Sequence, residues 1–589
     1  MSKRFILFSV WCAILVVGTA SRLVAQNSDP APTEPAKQID ETVVTTESDR
    51  AMFAAALAQE EVKRLIAESE QRNQVMQHLD TLVNRFGPRL TCSDNLYNAS
   101  LWAKSEFERF GLQNVRVEEA GEFAIGFGRG PWWGRMVAPE TQELNFNTNS
   151  WTAGTRGRVR GPLRMAPADL EEIEKQRAEL KGAWVLLATP QMMARQNDTR
   201  VRELRTKLEE IGALGIITST RGALLHTSGR APSAWDKLPT IPQIRMAADH
   251  WKMLETRLKN SEAVELEFDI RNYFKPGPVK YHNVIADLPG TDKPDEFVIV
   301  GGHIDSWDGA TGTLDNGTGV ATTMEAARLL SAAGVRPART IRFMLWSGEE
   351  QGLLGSRAWV KANEAALARI SAVLVHDGGT NFVSGITATQ AMAESLRVAM
   401  AAPLALSNAD YPFAVKVQSG LPRGIGSDHD SFLSAGVPGF FWHQAGRSDY
   451  NFAHHTQHDT FDQAIPEYQQ RSALVIALGA LGIANLESLL SREKLTAPPR
   501  RRMGVNLEDL TVTSVTEGSV AEKAGAKSGD VFLSVNGAVV KDREQLVEEI
   551  QKEGAKKLVH VKRGDSTLEL TFEWSEAPPQ PRQPEPQQP

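Results

Sequence analysis

Cysteine is almost absent from this sequence, and basic residues never cluster into a long run. Cys12 and Cys92 are the two cysteines among 589 residues, and Cys12 lies in an amino-terminal segment that we predict is removed. One remaining thiol cannot form an internal disulfide or build a cysteine-rich structural metal site. The formal net charge of -7, without a basic stretch, argues against nucleic acid as a partner.

The sequence also lacks an apolar run long enough to span a bilayer, which takes about 20 residues. Its most apolar stretch, Phe5 to Val17, follows Lys3 and Arg4 and precedes small residues. This is the layout of a secretory signal peptide, so we expect export to a periplasmic or extracellular location, with no stable membrane span after signal removal. Retention of the stretch as a membrane anchor is the alternative.

Composition and periodicity divide the chain into segments. Apolar strands that alternate with helical patterns predict an α/β fold with a mostly parallel sheet flanked by helices, interrupted by a β-rich insert. Pro-rich and polar stretches predict disorder at both ends. The expected segments are a signal peptide at 1–25, a disordered linker at 26–50, a helical part at 51–120, the insert at 121–275, the main α/β domain at 276–495, a small domain at 500–575 and a disordered tail at 576–589.

Potential metal ligands follow three apolar strands of the predicted sheet. The runs 297–300, 340–346 and 372–375 lead into His303, the pair Glu349–Glu350, and Asp377. Because ligands bind at the carboxyl ends of strands in such sheets, we expect these side chains to meet. Asp315, in the stretch that follows the first of these strands, and His455, from a later loop, complete a set of imidazoles and carboxylates. That set suits zinc or a similar divalent ion at a catalytic site.

Hydrolysis of an amide at neutral pH needs a nucleophile, a polarised carbonyl and a base, and paired metal ions supply the first two. A carboxylate between the ions can hold them together. In the adjacent pair Glu349–Glu350, one side chain can bind metal while its neighbour faces the water. The residues therefore predict a metal-dependent hydrolase.

From Tyr281 to Leu490 the chain resembles the di-zinc exopeptidases related to bacterial aminopeptidases and glutamate carboxypeptidase, and within them the carboxypeptidase Q branch. The motifs are the Gly-Gly-His-x-Asp run at 301–305, the Glu-Glu pair and the His-Thr-x-x-Asp-Thr run at 455–460, with 84–90 (NRFGPRL) as a further similarity. The resemblance implies two Zn²⁺ ions. It assigns His303 and Asp377 to one zinc, Glu350 and His455 to the other, Asp315 as the bridge, Glu349 as the general base and Asp305 as the residue that orients the His303 ring.

Two further segments resemble known modules. The insert, with its strand near 184–187 and its helix and strand near 204–217, resembles a protease-associated domain, for which we expect a shaping role over the active-site mouth; a plain β-rich spacer is the alternative. Residues 502–537 resemble a PDZ domain, with Met503-Gly504-Val505 where that family has its carboxylate-binding loop. The resemblance implies that peptide carboxyl termini bind there as an added strand.

We therefore expect an exported zinc metallopeptidase that hydrolyses peptides or dipeptides with a free terminus, as an aminopeptidase or a carboxypeptidase Q-like dipeptidase. A glutamate carboxypeptidase-like enzyme is one alternative, and a catalytically inactive binding or scaffolding protein on the same fold is another. The sequence leaves the side-chain preference, the PDZ ligand and the oligomeric state open, with a homodimer among the options.

Overall fold

The protein was analysed as a computed structural model, which describes residues 46–167, 169–188, 199–220, 222–495, 501–552 and 554–574. The predicted signal peptide, most of the predicted linker and the predicted tail lie outside these residues. Within the described ranges, no helix combines the length and apolarity that crossing a membrane requires.

The amino-terminal part is helical, as its periodicity predicts, but it is broken into several pieces. A π-helical turn, Thr81–Phe86, directly follows the third helix. Ser93 caps the fourth helix by accepting a hydrogen bond from the Leu96 N–H. The helices are α1 Glu47–Ala58, α2 Glu60–Arg72, α3 Val75–Asp80 and α4 Asp94–Arg109.

A long strand, β1 Gln113–Gly128, leads from these helices into the insert. The described residues of the insert form an eight-stranded sheet in the order β3-β2-β9-β5-β6-β7-β8-β4. Its strands are β2 Trp132–Ala138, β3 Gln142–Glu143, β4 Phe146–Thr148, β5 Val159–Met165, β6 Trp184–Leu186, β7 Gly215–Ser219, β8 Gln243–Met246 and β9 Glu265–Ile270. Its helices are α5 Leu170–Lys175, α6 Arg177–Leu180, α7 Thr199–Ile211 and α8 Ala248–Lys259, with a 3-10 turn at Trp235–Lys237.

The main domain alternates strands and helices as predicted. Its strands are β10 Tyr273–Leu288, β11 Lys293–His303, β12 Arg339–Trp346, β13 Ile370–Val375, β14 Phe382–Thr389, β15 Ala414–Gln418, β16 Gly439–Phe441 and β17 His443–Ala445. Its helices are α9 Thr318–Ala332, α10 Leu354–Ala362, α11 Ala393–Ala399, α12 Ala401–Ala405, α13 His429–Ser434, α14 Tyr450–Ala453 and α15 Pro466–Ala484. Shorter turns are the π-type Thr313–Gly317 and the 3-10 turns Glu364–Arg369 and Phe461–Gln463.

The central sheet has the order β1-β10-β12-β11-β13-β16. Strands β12, β11, β13 and β16 are parallel, whereas β10 pairs antiparallel with β12 and with β1. The predicted boundaries at 120/121 and 275/276 fall inside β1 and β10, because these two strands form one continuous ribbon. Residues 129–272, between the two strands, are called the inserted module below.

A smaller sheet, β15-β14-β17, lies in the same domain. The carboxyl-terminal unit is built on an antiparallel sheet in the order β18-β19-β20-β22-β23, with β21 beside β20. Its elements are β18 Val505–Glu508, β19 Thr511–Val515, α16 Val520–Lys523, β20 Val531–Val535, β21 Ala538–Val539, α17 Arg543–Gln551, β22 Lys556–Arg563 and β23 Ser566–Glu573.

Helix α15 packs closely against α11 in the core of the main domain. A Cβ atom at Gly482 would overlap the backbone of Ala399, including its carbonyl oxygen. Gly482→Ala should therefore force these helices apart and lower the free energy of unfolding by about 1–3 kcal/mol. The measurement is the thermal unfolding midpoint of the full chain. Gly222→Ala is the control, since a Cβ at Gly222 meets no atom within 4 Å, and equal midpoints for both variants would contradict this packing.

Candidate metal centre

The predicted ligands lie at one edge of the central sheet because three parallel strands end there. His303 is the last residue of β11 and stands opposite Trp346, the last residue of β12. Strand β13 ends at Val375, opposite Gly301 of β11, so Asp377 follows two residues later. The sheet therefore brings His303, Asp377 and the loop after β12 to the same place.

Asp315 lies between two imidazole rings. Its Oδ1 is 3.2 Å from Nε2 of His303, and its Oδ2 is 3.0 Å from Nε2 of His455. Asp377 Oδ2 is 3.6 Å from the His303 Nε2, and Glu350 Oε2 is 3.0 Å from the His455 Nε2. The five residues thus form two groups that share the Asp315 carboxylate.

Burial and close carboxylates shift the ionisation of the two histidines. For His455, burial opposes the charged ring, but Glu350 and Asp315 outweigh it and raise the pKa to about 10. For His303, burial again opposes the charged ring, and Asp377 and Glu349 outweigh it and raise the pKa. The electric field at both rings therefore favours a positive charge.

Burial shifts the pKa values of Glu349 and Glu350 toward the neutral acid, whereas Asp315 stays charged. Burial raises the pKa of Glu350 to about 7, with the Asp315 charge adding to the effect. Burial also raises the pKa of Glu349 well above its ordinary value. Burial works in the same direction on Asp315, but His303 and His455 outweigh it and lower its pKa. So many acids packed out of water need positive charge close by.

These donors fit divalent metal ions. The buried Nε2 of His303 makes no hydrogen bond of acceptable geometry, although it faces two carboxylates. Such an unpaired atom in a cluster of oxygens is typical of a metal ligand. Ligand atoms of His303, Asp315 and Asp377 lie within 4.8 Å of one another, and so do those of Asp315, His454 and His455.

The second of these groups contains a residue to which the sequence assigned no metal role. His454 stacks on His455 with 3.8 Å between ring centroids, and its Nε2 is 3.8 Å from Asp315 Oδ2. Glu350, the predicted ligand there, has one carboxylate oxygen near His455 and accepts a hydrogen bond from the Trp307 N–H (3.3 Å) on the other. Both side chains thus lie beside the His455 half of the site.

Asp305, which the resemblance assigns to orienting the His303 ring, approaches that ring mainly through its main-chain oxygen. The Nδ1 of His303 is 3.1 Å from the main-chain oxygen of Asp305 and 3.7 Å from its carboxylate. The carboxylate instead accepts hydrogen bonds from the N–H groups of Glu349 (3.2 Å) and Glu350 (3.3 Å) and from the Thr91 hydroxyl (2.9 Å). Asp305 therefore holds the turn that carries both glutamates as well as facing the ring.

Two buried residues that sequence reasoning left without a role fix the loop before Asp315. The Asp459 carboxylate accepts hydrogen bonds from the N–H groups of Leu314 and Asp315. The Arg89 guanidinium donates to the carbonyls of Ile304 (2.8 Å), Thr311 (2.9 Å) and Gly312 (2.8 Å). The sequence could have indicated a role for both residues, because Asp459 lies in the 455–460 motif and Arg89 lies in the 84–90 motif.

A cavity of about 730 Å³ opens beside the ligands. Glu349 and Asp377 line it together with Tyr450 and Phe441, and Arg357 and Arg423 lie on its wall. A space of this volume accommodates a small organic ligand. A single ligand in this cavity could therefore contact acidic groups, aromatic rings and guanidinium groups.

The chain resembles known peptidases over most of its length. Residues 283–479 match the Peptidase family M28, and residues 511–563 match the PDZ domain. Carboxypeptidase Q of Mus musculus is 26% identical over 435 residues, which cover 72% of this chain and 88% of that protein. Leupeptin-inactivating enzyme 1 of Streptomyces exfoliatus is 33% identical over 172 residues, or 25% of this chain and 39% of that enzyme. A crystal structure of a peptidase M28 precursor from Shewanella amazonensis SB2B is 25% identical with a TM-score of 0.55, covering 77% of this chain and all of that one.

If Asp315 is shared between two ions, its removal should cost more metal than the loss of one ligand from one ion. We expect Asp315→Ala to retain less than one equivalent of zinc after dialysis, measured by elemental mass spectrometry on the full chain. Asp410→Ala, at an exposed loop position, is the matched control and should bind as the wild type does. Two tightly held equivalents in Asp315→Ala would contradict the shared position.

Proposed function

We propose that this chain, which belongs to peptidase family M28 and is a metallo-exopeptidase, is exported and cleaves peptides or dipeptides that carry a free terminus. In this proposal two zinc ions occupy the centre. The observation that carries it is the Asp315 carboxylate, whose two oxygens face His303 on one side and His455 on the other at 3.2 and 3.0 Å. The export signal proposed at residues 1–25 lies outside the described residues.

His303 and Asp377 would hold one ion, Glu350 and His455 the other, and Asp315 both. What the ion pair supplies is Lewis acidity toward a peptide carbonyl and an attacking water. His454 lies close enough to the second group to serve beside Glu350. His303, Asp315 and Asp377 are buried, which keeps competing water away from that side of the reacting bond.

Glu349 is the proposed general base. Its carboxylate lines the cavity next to the ligands but belongs to neither ligand group. It would accept a proton from the attacking water and then donate that proton to the nitrogen of the leaving amine. Burial raises the pKa of Glu349, which favours a carboxylate able to hold the transferred proton. Asp305 would keep the base in place through its hydrogen bond to the Glu349 N–H.

The cavity wall supports short substrates with a free carboxylate. Arg357 and Arg423 are exposed to the same cavity that contains Glu349 and Asp377. A guanidinium group is the natural partner of a peptide carboxylate. A glutamate carboxypeptidase-like activity would use the same groups for an acidic side chain, so peptides with blocked and free termini, with and without carboxyl-terminal glutamate, separate the two functions.

The proposed role of Glu349 predicts a large loss of turnover without loss of metal. Glu349→Gln keeps the size of the side chain but removes its basic oxygen, so kcat should fall by about 10²–10⁴-fold. Dipeptide hydrolysis and metal content are measured on the same preparation. Glu364→Gln, at an exposed position, is the control and should leave both unchanged. Near-normal turnover by Glu349→Gln with both metals bound would disprove the assignment.

We further propose that the PDZ domain captures peptide carboxyl termini beside β18, which is an edge strand of its sheet among the described residues. The Gly504 backbone has φ of +82°, a conformation suited to the tight loop before that strand. Deletion of residues 500–589 should weaken cleavage of long peptides and leave dipeptide turnover unchanged. Competition kinetics with both substrate classes would measure this, and identical handling of long peptides would contradict it.

A further inference from the structure

We propose that the inserted module positions His455 and so sets the metal affinity of one half of the centre. This inference rests on the proposed two-metal site. The sequence suggested a shaping role over the active-site mouth or a plain spacer for this module. The module instead forms hydrogen bonds with the loop that carries His455 and with the loop between His303 and Asp315.

A short segment of the module, residues 225–227, pairs with the His455 loop through one isolated β-bridge and two flanking hydrogen bonds. The Thr227 N–H donates to the His455 carbonyl at 2.7 Å. His226 and Thr456 form an antiparallel β-bridge, and the Leu225 N–H donates to Oε1 of Gln457 at 2.7 Å. The backbone that carries His455 is therefore held by hydrogen bonds from another module.

Another residue of the module, Asn147, fixes the segment 225–227 on the side away from the His455 loop. Nδ2 of Asn147 donates to the Thr227 hydroxyl at 2.8 Å, and both side chains are buried. Thr227 also lines a small space together with Asp315, Glu350 and His455. Buried hydrogen bonds of this kind define one position, because a displaced partner would leave polar groups without a partner or water.

The module also holds the loop between His303 and Asp315. The Asp308 carboxylate accepts a hydrogen bond from the Ser150 hydroxyl at 2.6 Å and pairs with the Arg129 guanidinium at 2.9 Å. The Arg129 and Asp308 side chains are only 3% and 4% exposed. Next to Asp308, the absence of a side chain at Gly309 makes room for Thr227 and Asn147.

The two halves of the centre differ in what supports them. His303 and Asp377 extend from strands β11 and β13 and are buried. His455 lies on an irregular loop with its side chain 30% exposed. The central sheet therefore supports the first half and, through the end of β12, Glu350 of the second half, whereas the module supports the loop that carries His455. Docking of the module and metal binding at His455 should then be coupled, and each should strengthen the other.

Two substitutions break the contact from opposite sides. Gln457→Met removes the acceptor for the Leu225 N–H at nearly constant volume. Thr227→Val removes the hydroxyl that accepts from Asn147 Nδ2 and keeps the Asn147 carbonyl as the acceptor for Arg129 and the Thr148 N–H. Gln551→Met is the matched control, because Oε1 of Gln551 likewise accepts a backbone hydrogen bond, from Arg501 at 2.8 Å, in the PDZ domain. Cobalt(II) and zinc are titrated into the metal-free full-length chains, with Co²⁺ absorption and zinc stoichiometry as readouts.

We expect each of the two variants to weaken one of the two metal equivalents at least tenfold and to leave the other unchanged, while Gln551→Met binds as the wild type does. In the wild type, zinc should slow amide hydrogen exchange at residues 225–227. Unchanged affinity for both equivalents in both variants would overturn the inference, and so would equal weakening of both, which indicates a general loss of structure. A wild type that binds fewer than two equivalents would instead contradict the proposed function, and this inference with it.

Discussion

The Asp315 carboxylate, held between two imidazole rings, is the interaction on which the rest of the site depends. Its oxygens can face His303 and His455 only if the end of β11 and the loop after α14 meet within a few ångströms. The Asp459 carboxylate fixes the Asp315 N–H, and Arg89 fixes the carbonyls of the preceding loop. A buried arginine and a buried aspartate thus stabilise a turn that a regular helix or strand could not supply.

The central sheet and the inserted module contribute different things to this arrangement. Parallel strands β11, β12 and β13 place their ends side by side, so residues far apart in sequence reach one edge with little freedom. Loops lack that constraint. The module supplies it instead for the loop that carries His455, through the hydrogen bonds of Leu225 and Thr227. Burial then raises the pKa of Glu349 and Glu350, because carboxylates are crowded together out of water.

Sequence reasoning predicted the α/β fold and the strand ends well, because each predicted ligand directly follows an apolar run or lies in a short motif. It could not find the contact of Leu225 and Thr227 with the His455 loop. The bond from Thr227 to His455 joins two backbone atoms, and the bond from Leu225 to the Gln457 side chain has a backbone donor. The bonded residues are more than 200 positions apart, and backbone donors leave no pattern in side-chain types. The expected module boundaries at 120/121 and 275/276 fall inside β1 and β10. The spacing of apolar residues indicates which face of a strand is buried, but it does not indicate that a pair of strands such as β1 and β10 continues from one domain into the next.

The most direct test of the shared carboxylate is the position of the metal itself. Zinc-loaded crystals of the full chain, measured at the zinc absorption edge, give an anomalous difference map that locates each ion. The account predicts two peaks, one beside His303 and Asp377 and the other beside His455, with a different Asp315 oxygen on each. A single peak, or two peaks of which only one contacts Asp315, would contradict it.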